Sequence, residues 1–166
     1  MVRTLVVILA IVTVIVLLVP RPNALPQAGV DPQQAARGAG SQLGFVPDVP
    51  RGLPEGWVVQ AAQVRRSQDG IVTWHLGYIT PEGRYAGVEQ AGRSTRAWEE
   101  ILDGGGQVVG SQEIAGRTWE QRYREPLSLT TLIDRRPGHV TVVTSKGGGL
   151  GDARTLASAL APPAAP

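Results

Sequence analysis

Eighteen consecutive residues, Val2 to Val19, read VRTLVVILAIVTVIVLLV, with Arg3 the only charge and Thr4 and Thr13 the only other polar side chains. An α-helix rises ~1.5 Å per residue, so roughly 17 such residues cover ~25 Å, close to the hydrocarbon thickness of a thin bilayer. Each buried Val, Ile or Leu contributes about −0.3 to −0.6 kcal/mol, which sums to several kcal/mol in favour of insertion. A core helix of this uniformity would leave no polar face, and only a much larger domain could bury it. The run therefore predicts a transmembrane anchor over residues 1–20. A cleaved signal peptide has the same order of basic end and apolar run, but its apolar part is usually ~7–15 residues and its cut follows small residues. Here Ala24 is offered with Pro22 two places before it, so retention is the favoured reading. Arg3 and the amino terminus face Arg21 across the span, a near tie by the positive-inside rule. A single N-terminal span before a larger domain behaves as a signal anchor, which places the domain outside the cytoplasm at the plasma membrane.

The rest of the composition narrows the chemistry. With 42% hydrophobic and 18% charged residues, a chain of 166 fits one domain with appendages. Its 21 Gly and 13 Pro imply many turns and oppose a bundle of long helices. The absence of cysteine excludes disulfides, thiolate zinc sites, iron–sulfur clusters and thiol catalysis. The pI near 9.5 suggests a basic protein. Yet Arg3, Arg21 and Arg37 against Asp31 account for the whole net charge of +2, and from Gly38 onward 13 basic residues balance 13 acidic ones. A duplex-binding surface needs clustered cations, so nucleic acid is not an expected partner.

Seven of the 13 prolines fall between Pro20 and Pro54. Proline fixes φ and keeps the preceding residue out of αR, so residues 21–42 are expected to form a Pro/Gly/Ala-rich extended tether. The folded domain is then 43–161, with Phe45 and Val46 its first docked residues and 162–166 a disordered tail. Within it, β-rich runs at Trp57–Arg66, Ile71–Thr80 and Tyr85–Gln90 are broken by Asp69-Gly70 and by Pro81-Glu82-Gly83, giving three antiparallel strands. Ser94-Thr95 caps a helix that places Ala97, Trp98, Ile101 and Leu102 on one face, with Glu99, Glu100 and Asp103 on a solvated one; Gly104 ends it. Four more strands follow at Gln107–Ile114, Thr118–Arg124, Leu127–Arg135 and His139–Ser145, then a helix at Asp152–Ala161. The order βββαββββα predicts an α+β fold: an antiparallel sheet of six to seven strands, one face covered by two helices, preceded by one transmembrane helix.

Four segments carry a resemblance: Leu53-Pro54-Glu55-Gly56-Trp57, Thr73-Trp74-His75-Leu76-Gly77-Tyr78, Thr80-Pro81-Glu82-Gly83-Arg84-Tyr85-Ala86 and Gly116-Arg117-Thr118-Trp119. Behind an N-terminal span, in this order and spacing, they resemble an actinobacterial family of single-pass envelope proteins catalogued as domain of unknown function 4245. The resemblance implies an exported, membrane-anchored domain and brings no activity, ligand or catalytic residue with it. The Gly-Trp entry, hairpins and mid-domain helix are also similar to the Mog1 and PsbP-like α+β fold, an analogy of fold alone.

His75 and His139 are the only histidines, and both lie on predicted strands. Alternation puts Val72, Trp74, Leu76 and Tyr78 on a covered face and Thr73, His75 and Ile79 on one expected to be partly open. No third ligand stands at a metal-binding spacing, so no metal and no cofactor are expected. Gly40-Ser41-Gln42-Leu43-Gly44 has its serine one place early for a nucleophile elbow. Lys146-Gly147-Gly148-Gly149-Leu150-Gly151 puts its lysine before the glycines, unlike a P-loop, and reads as a flexible connector with Asp152 as the N-cap of the next helix. Glu99 and Glu100 diverge by ~100° on a helix and cannot share a substrate. With one Phe and one Met in the chain, the four tryptophans are expected to supply core volume; Trp74 and Trp98 occupy core-facing positions, and an exposed exception is expected at Trp57 or Trp119.

The functional expectation is a single-pass envelope protein whose outer domain binds another envelope protein or a small apolar ligand without catalysis. Trp57, Thr73, His75 and Trp119 are the candidate contact residues. The alternatives are an envelope hydrolase with a dispersed site, or a sensor acting through a membrane partner, since few residues precede the span. A cleft joining a histidine to an acid and a hydroxyl would favour the hydrolase, and an apolar groove without one would favour the binder.

Overall fold

A computed structural model describes residues 30–164 except residue 68. The apolar run of residues 2–19, and with it the expected anchor, lies outside the described residues. Among those described, no helix is long and apolar enough to cross a membrane.

The first element corrects the tether expected over residues 21–42 from residue 32 onward; residues 21–29 lie outside the described residues. Helix α1 spans Pro32–Leu43, capped by the Asp31 carboxylate accepting from the Gln33 N–H at 2.9 Å and closed by Gly44 at φ 78°. The helix's one proline, Pro32, stands at N1, where the missing N–H costs nothing. Ala35, Ala39 and Leu43 recur at helical spacing, and Ala36 and Ala39 are buried on the sheet. Proline density marked the neighbourhood as extended; proline position permits a helix. Strand β1 (Val49–Pro50) follows and pairs antiparallel with β9 (Leu160–Ala161), so the domain's two ends are stitched together.

The main sheet is antiparallel and seven-stranded: β2 (Val58–Arg66), β3 (Val72–Ile79), β4 (Tyr85–Ala91), β5 (Gln107–Ile114), β6 (Arg117–Arg124), β7 (Leu129–Arg136) and β8 (His139–Lys146), in the order β2-β3-β4-β8-β7-β6-β5. Two meanders meet at the β4–β8 seam. Helix α2 (Arg96–Asp103) carries the chain from β4 to the far edge, and α3 (Gly149–Ala159) follows β8. The seven strands and the two later helices agree with the expected order.

The helix layer differs from expectation. Three helices cover the sheet, and they do not share a face. Trp74, Leu76, Tyr78, Val88, Trp119, Leu132 and Val143 point to the first face, beneath α1 and α3 with Leu156 fully buried. Ile71, Ala91, Ile133, Val140 and Val142 point to the second, beneath Trp98 and Leu102 of α2. The reason is in the central strands. β8 is buried at six successive positions, so both of its sides need cover. The orientation of α2 is also corrected: Glu99 and Asp103 are buried, whereas Ile101 is 61% exposed.

The last helix begins three residues before its expected start, because the glycine-rich stretch supplies its N-cap, Gly148, and its first turn. Asp152 does not cap. Its carboxylate takes two hydrogen bonds from Arg84, at 2.9 and 3.1 Å. The described part of the expected disordered tail is held, with the Pro162 carbonyl accepting from Arg51 and the Ala164 N–H donating to Gln33 Oε1 at 3.1 Å.

Candidate functional site

The second face between α2 and strands β2, β3 and β4 gathers two of the four candidate residues. Antiparallel register sets Gln63, His75 and Glu89 in one row and Arg65 beside Thr73 in the next. Thr95 caps α2 by accepting from the Trp98 N–H at 3.1 Å, and Gly104 ends the helix at φ 64°. Held at both ends, α2 lowers its indole onto the sheet, where Nε1 of Trp98 donates to Oγ1 of Thr73 at 3.0 Å. Thr73 in turn donates to the Ile71 carbonyl at 3.4 Å. This face is therefore less open than expected: Thr73 is 4% and His75 5% exposed.

His75 Nδ1 is hydrogen-bonded to Glu89 Oε1, its cross-strand neighbour. Toward the other ring edge lies Tyr85. A Cβ on Gly77 would come within 3.5 Å of both His75 Nε2 and the Tyr85 hydroxyl, and one on Gly87 would meet that hydroxyl at 2.7 Å. The two glycines are the bed on which the phenol ring lies, an aromatic covering sheet positions that have no side chain of their own. Burial, reinforced by the Glu89 charge and opposed by Arg65, pushes the Tyr85 phenol up to about 12. It is a neutral hydrogen-bond donor at physiological pH, not a nucleophile.

Beside this row a groove of about 140 Å³ opens between Ile101 and Leu102 on one wall and Arg65 and Arg66 on the other, with Thr73 and Glu89 at its base. The two guanidiniums have neutral partners. The Gln63 amide oxygen, turned toward Arg65, accepts from it at 2.8 and 2.9 Å, and Arg66 donates to the Gly70 carbonyl at 3.2 Å.

A larger basin of about 470 Å³ on the far side of α2 is lined by ion pairs. Glu99 accepts from Arg135 at 2.6 and 3.0 Å and from Arg122 at 3.2 Å. Arg122 also reaches Asp103 at 2.6 Å and Glu120 at 2.6 Å, and Arg135 reaches Glu120 at 3.1 Å. Burial alone would raise the Glu99 and Glu120 carboxyls, but the arginine hydrogen bonds and charges outweigh it and hold both below the ordinary value. The network clamps α2 to β6 and β7 and engages Glu99, Asp103 and Glu120 with arginine.

His139 stands elsewhere, on the first face, packed edge-on against Phe45 with ring centroids 4.7 Å apart. Its Nε2 lies 2.9 Å from Thr141 Oγ1, but Thr141 is fully buried. Burial, with the Arg136 charge, lowers its pKa. Neither histidine thus stands in a solvent-open chain of acid, imidazole and hydroxyl. The other two candidates are not at the groove. Trp57 is half-buried on the first face, edge-on to Tyr78 at 6.2 Å. Trp119 is corrected as a contact residue: it is 0% exposed, one of the core tryptophans packed on the first face. Among the described residues, no three His, Asp or Glu side chains cluster to hold a metal.

Sequence reading missed Glu89, Trp98, Arg65 and Ile101 as the companions of Thr73 and His75. Glu89 had a signal. The turn centred on Glu82 fixes the β3–β4 register, which sets residue 75 opposite 89.

These features define an antiparallel α+β domain, carried behind an apolar segment, with ion pairs clamping α2 to the sheet and an amphipathic groove beside that helix. The chain belongs to the family described as Protein of unknown function (DUF4245), whose sequence pattern matches residues 1–160, the apolar run as well as the folded domain. Comparison with curated proteins and with solved structures gives no significant match.

Proposed function

We propose that this chain is a membrane-anchored, extracytoplasmic interaction domain of the bacterial cell envelope, which binds rather than catalyses. The observation that carries the reading is the groove beside α2. It sets exposed Ile101 opposite two arginines that have no carboxylate partner among the described residues, while the nearby pair, His75 and Glu89, is closed on itself. Surfaces that join exposed apolar area to unpaired charge gain by being covered, and Arg is enriched in such contacts. The anchor rests on the apolar run and the exported setting on the topology argued from it.

The rival hydrolase has one observation in its favour, since a carboxylate on Nδ1 is how a general base is oriented. The hydroxyl toward the far side of the His75 ring is the Tyr85 phenol, which burial keeps protonated and so unfit as a nucleophile. The test is photo-crosslinking of the full-length protein in its native envelope with probes on the groove, followed by turnover assays of purified protein on envelope esters and glycans. Specific adducts without turnover support the binder; turnover abolished by His75→Gln, with no adducts, replaces it.

A further inference from the structure

We propose that the free edge of β2, with the groove at its C-terminal end, accepts an extended acidic segment of a partner protein as an added strand of the sheet. This rests on the binding reading above and names the partner's chemistry. Strand β2 ends the sheet order, so among the described residues its outer edge has no neighbour, and no residue of the strand is fully buried. Unpaired backbone groups at a sheet edge take up extended peptides by main-chain hydrogen bonding, with side-chain pockets supplying selectivity. The register shift between Val59 and Ala61 interrupts the first part of the strand, which leaves Ala61 to Arg66 as the regular template.

Volume decides what enters the groove. Sites for whole small ligands enclose ~300–1,000 Å³. At about 140 Å³ this groove takes one apolar side chain, seated against Ile101 and Leu102. Charge decides the rest. Among the described residues, Arg65 and Arg66 have only neutral oxygens as partners, and exposed Arg93 lines the depression next to Gly70. The acids nearby are occupied: Glu89 by His75, Asp69 by the hydroxyls of Ser67 and Thr95, Glu100 by Arg96. Arg65 and Arg66 both border the groove at the end of the strand, but side chains alternate and their Cβ bonds leave the strand on opposite sides, so carboxylates at successive positions of the incoming segment meet one each. The other sheet edge, β5, contains no cation and carries Glu113, and it is broken by the shift between Val108 and Gly110.

The test is selection of a displayed library of nine-residue segments on the full-length protein in nanodiscs, followed by titration of synthetic peptides from the winners. The expected result is enrichment of adjacent acidic residues beside one large apolar residue. Affinity should fall roughly tenfold or more with Arg65→Glu/Arg66→Glu and with Ile101→Asp, at unchanged melting temperature. N-methylation of alternate peptide amides should abolish binding in one register and spare it in the other, which docking through side chains alone would not do. Winners without acidic bias, or binding that survives charge reversal or both methylation registers, overturn the proposal. Self-association in sedimentation that the same variants abolish would assign the edge to a second copy, and equal binding to phosphatidylglycerol vesicles would assign the arginines to a lipid surface. Envelope crosslinks from a probe at Ile101 but none from one at Ala61 on the β2 edge would sink this proposal and keep the binding reading. No crosslinks from either, with ester or glycan turnover, would sink both.

Discussion

Gln90 offers the sharpest test of how α1 is held to the sheet. It sits on the first face, 0% exposed, and its side-chain amide acts as a surrogate peptide group: Oε1 accepts from the Asp48 N–H at 2.9 Å and Nε2 donates to the Asp48 carbonyl at 2.7 Å. Asp48 is itself 8% exposed, so neither of its backbone groups has ready access to water. Removing the amide leaves one buried donor and one buried acceptor unpaired, each costing about 1–3 kcal/mol, so Gln90→Ala should destabilise by ~3–5 kcal/mol once a small cavity is included. Gln90→Leu separates the two contributions. Leucine fills the space but pairs with nothing, so it should recover no more than ~1 kcal/mol. The assay is urea unfolding of the full-length protein in detergent, followed by tryptophan fluorescence, with hydrogen exchange at Asp48 as the local readout. If Gln90→Leu is as stable as wild type, or Asp48 remains protected in it, the clamp does not hold this segment and the reasoning fails.

Other perturbations follow from single contacts. A Cβ on Gly148 would lie 1.7 Å from Asp152 Oδ2 and 2.7 Å from Ser145 Oγ, whereas one on Gly151 meets nothing within 4 Å. Gly148→Ala should therefore cost ~1–3 kcal/mol, and Gly151→Ala should stabilise by up to ~1 kcal/mol through helix propensity, both read by calorimetry. Within α2, Trp98→Ala should cost ~3–5 kcal/mol and Ile101→Ser no more than about 0.5, since Trp98 is 2% and Ile101 61% exposed; thermal melts of the two variants check the corrected helix face. Glu99 and Glu120 are held below their ordinary value of 4.5, so their contribution is complete above that pH and is lost as pH falls through the folded-state values. Unfolding midpoints measured from pH 7 to pH 3 should drop less steeply in Glu99→Gln than in wild type.

Local chemistry made most of the sheet readable. Asp69-Gly70, Pro81-Glu82-Gly83 and Pro137-Gly138 mark hairpins, and each hairpin fixes a register, so His75 beside Glu89 and Arg136 beside His139 follow from turn positions. Thr95 and Gly104 bounded α2 for the same reason. What stayed hidden depends on where elements lie in space. Glu99 reads as a solvated acid until β6 and β7 bring Arg122 and Arg135 beneath it. Ile101 reads as core until those pairs rotate the helix and turn it outward. Trp119 was misplaced because β5 and β6 alternate weakly, with mostly exposed or half-buried positions on both sides. Helix α1 was hidden by the prolines around it.

The seam between the two meanders sets a timetable for folding. Neighbouring strands within each meander are joined by short turns, but pairing Ala91 with Val140 and Tyr85 with Lys146 closes a loop of roughly fifty to sixty residues. Against a hairpin of about six residues, loop closure alone makes that contact ~2 kcal/mol dearer in chain entropy. The two half-sheets can thus gather locally as the chain is synthesised, while the join between them waits for the whole of residues 58–146. Until then β4 and β8 each present a raw apolar strand edge, and the interval before they meet is when this domain is most exposed to aggregation and proteases.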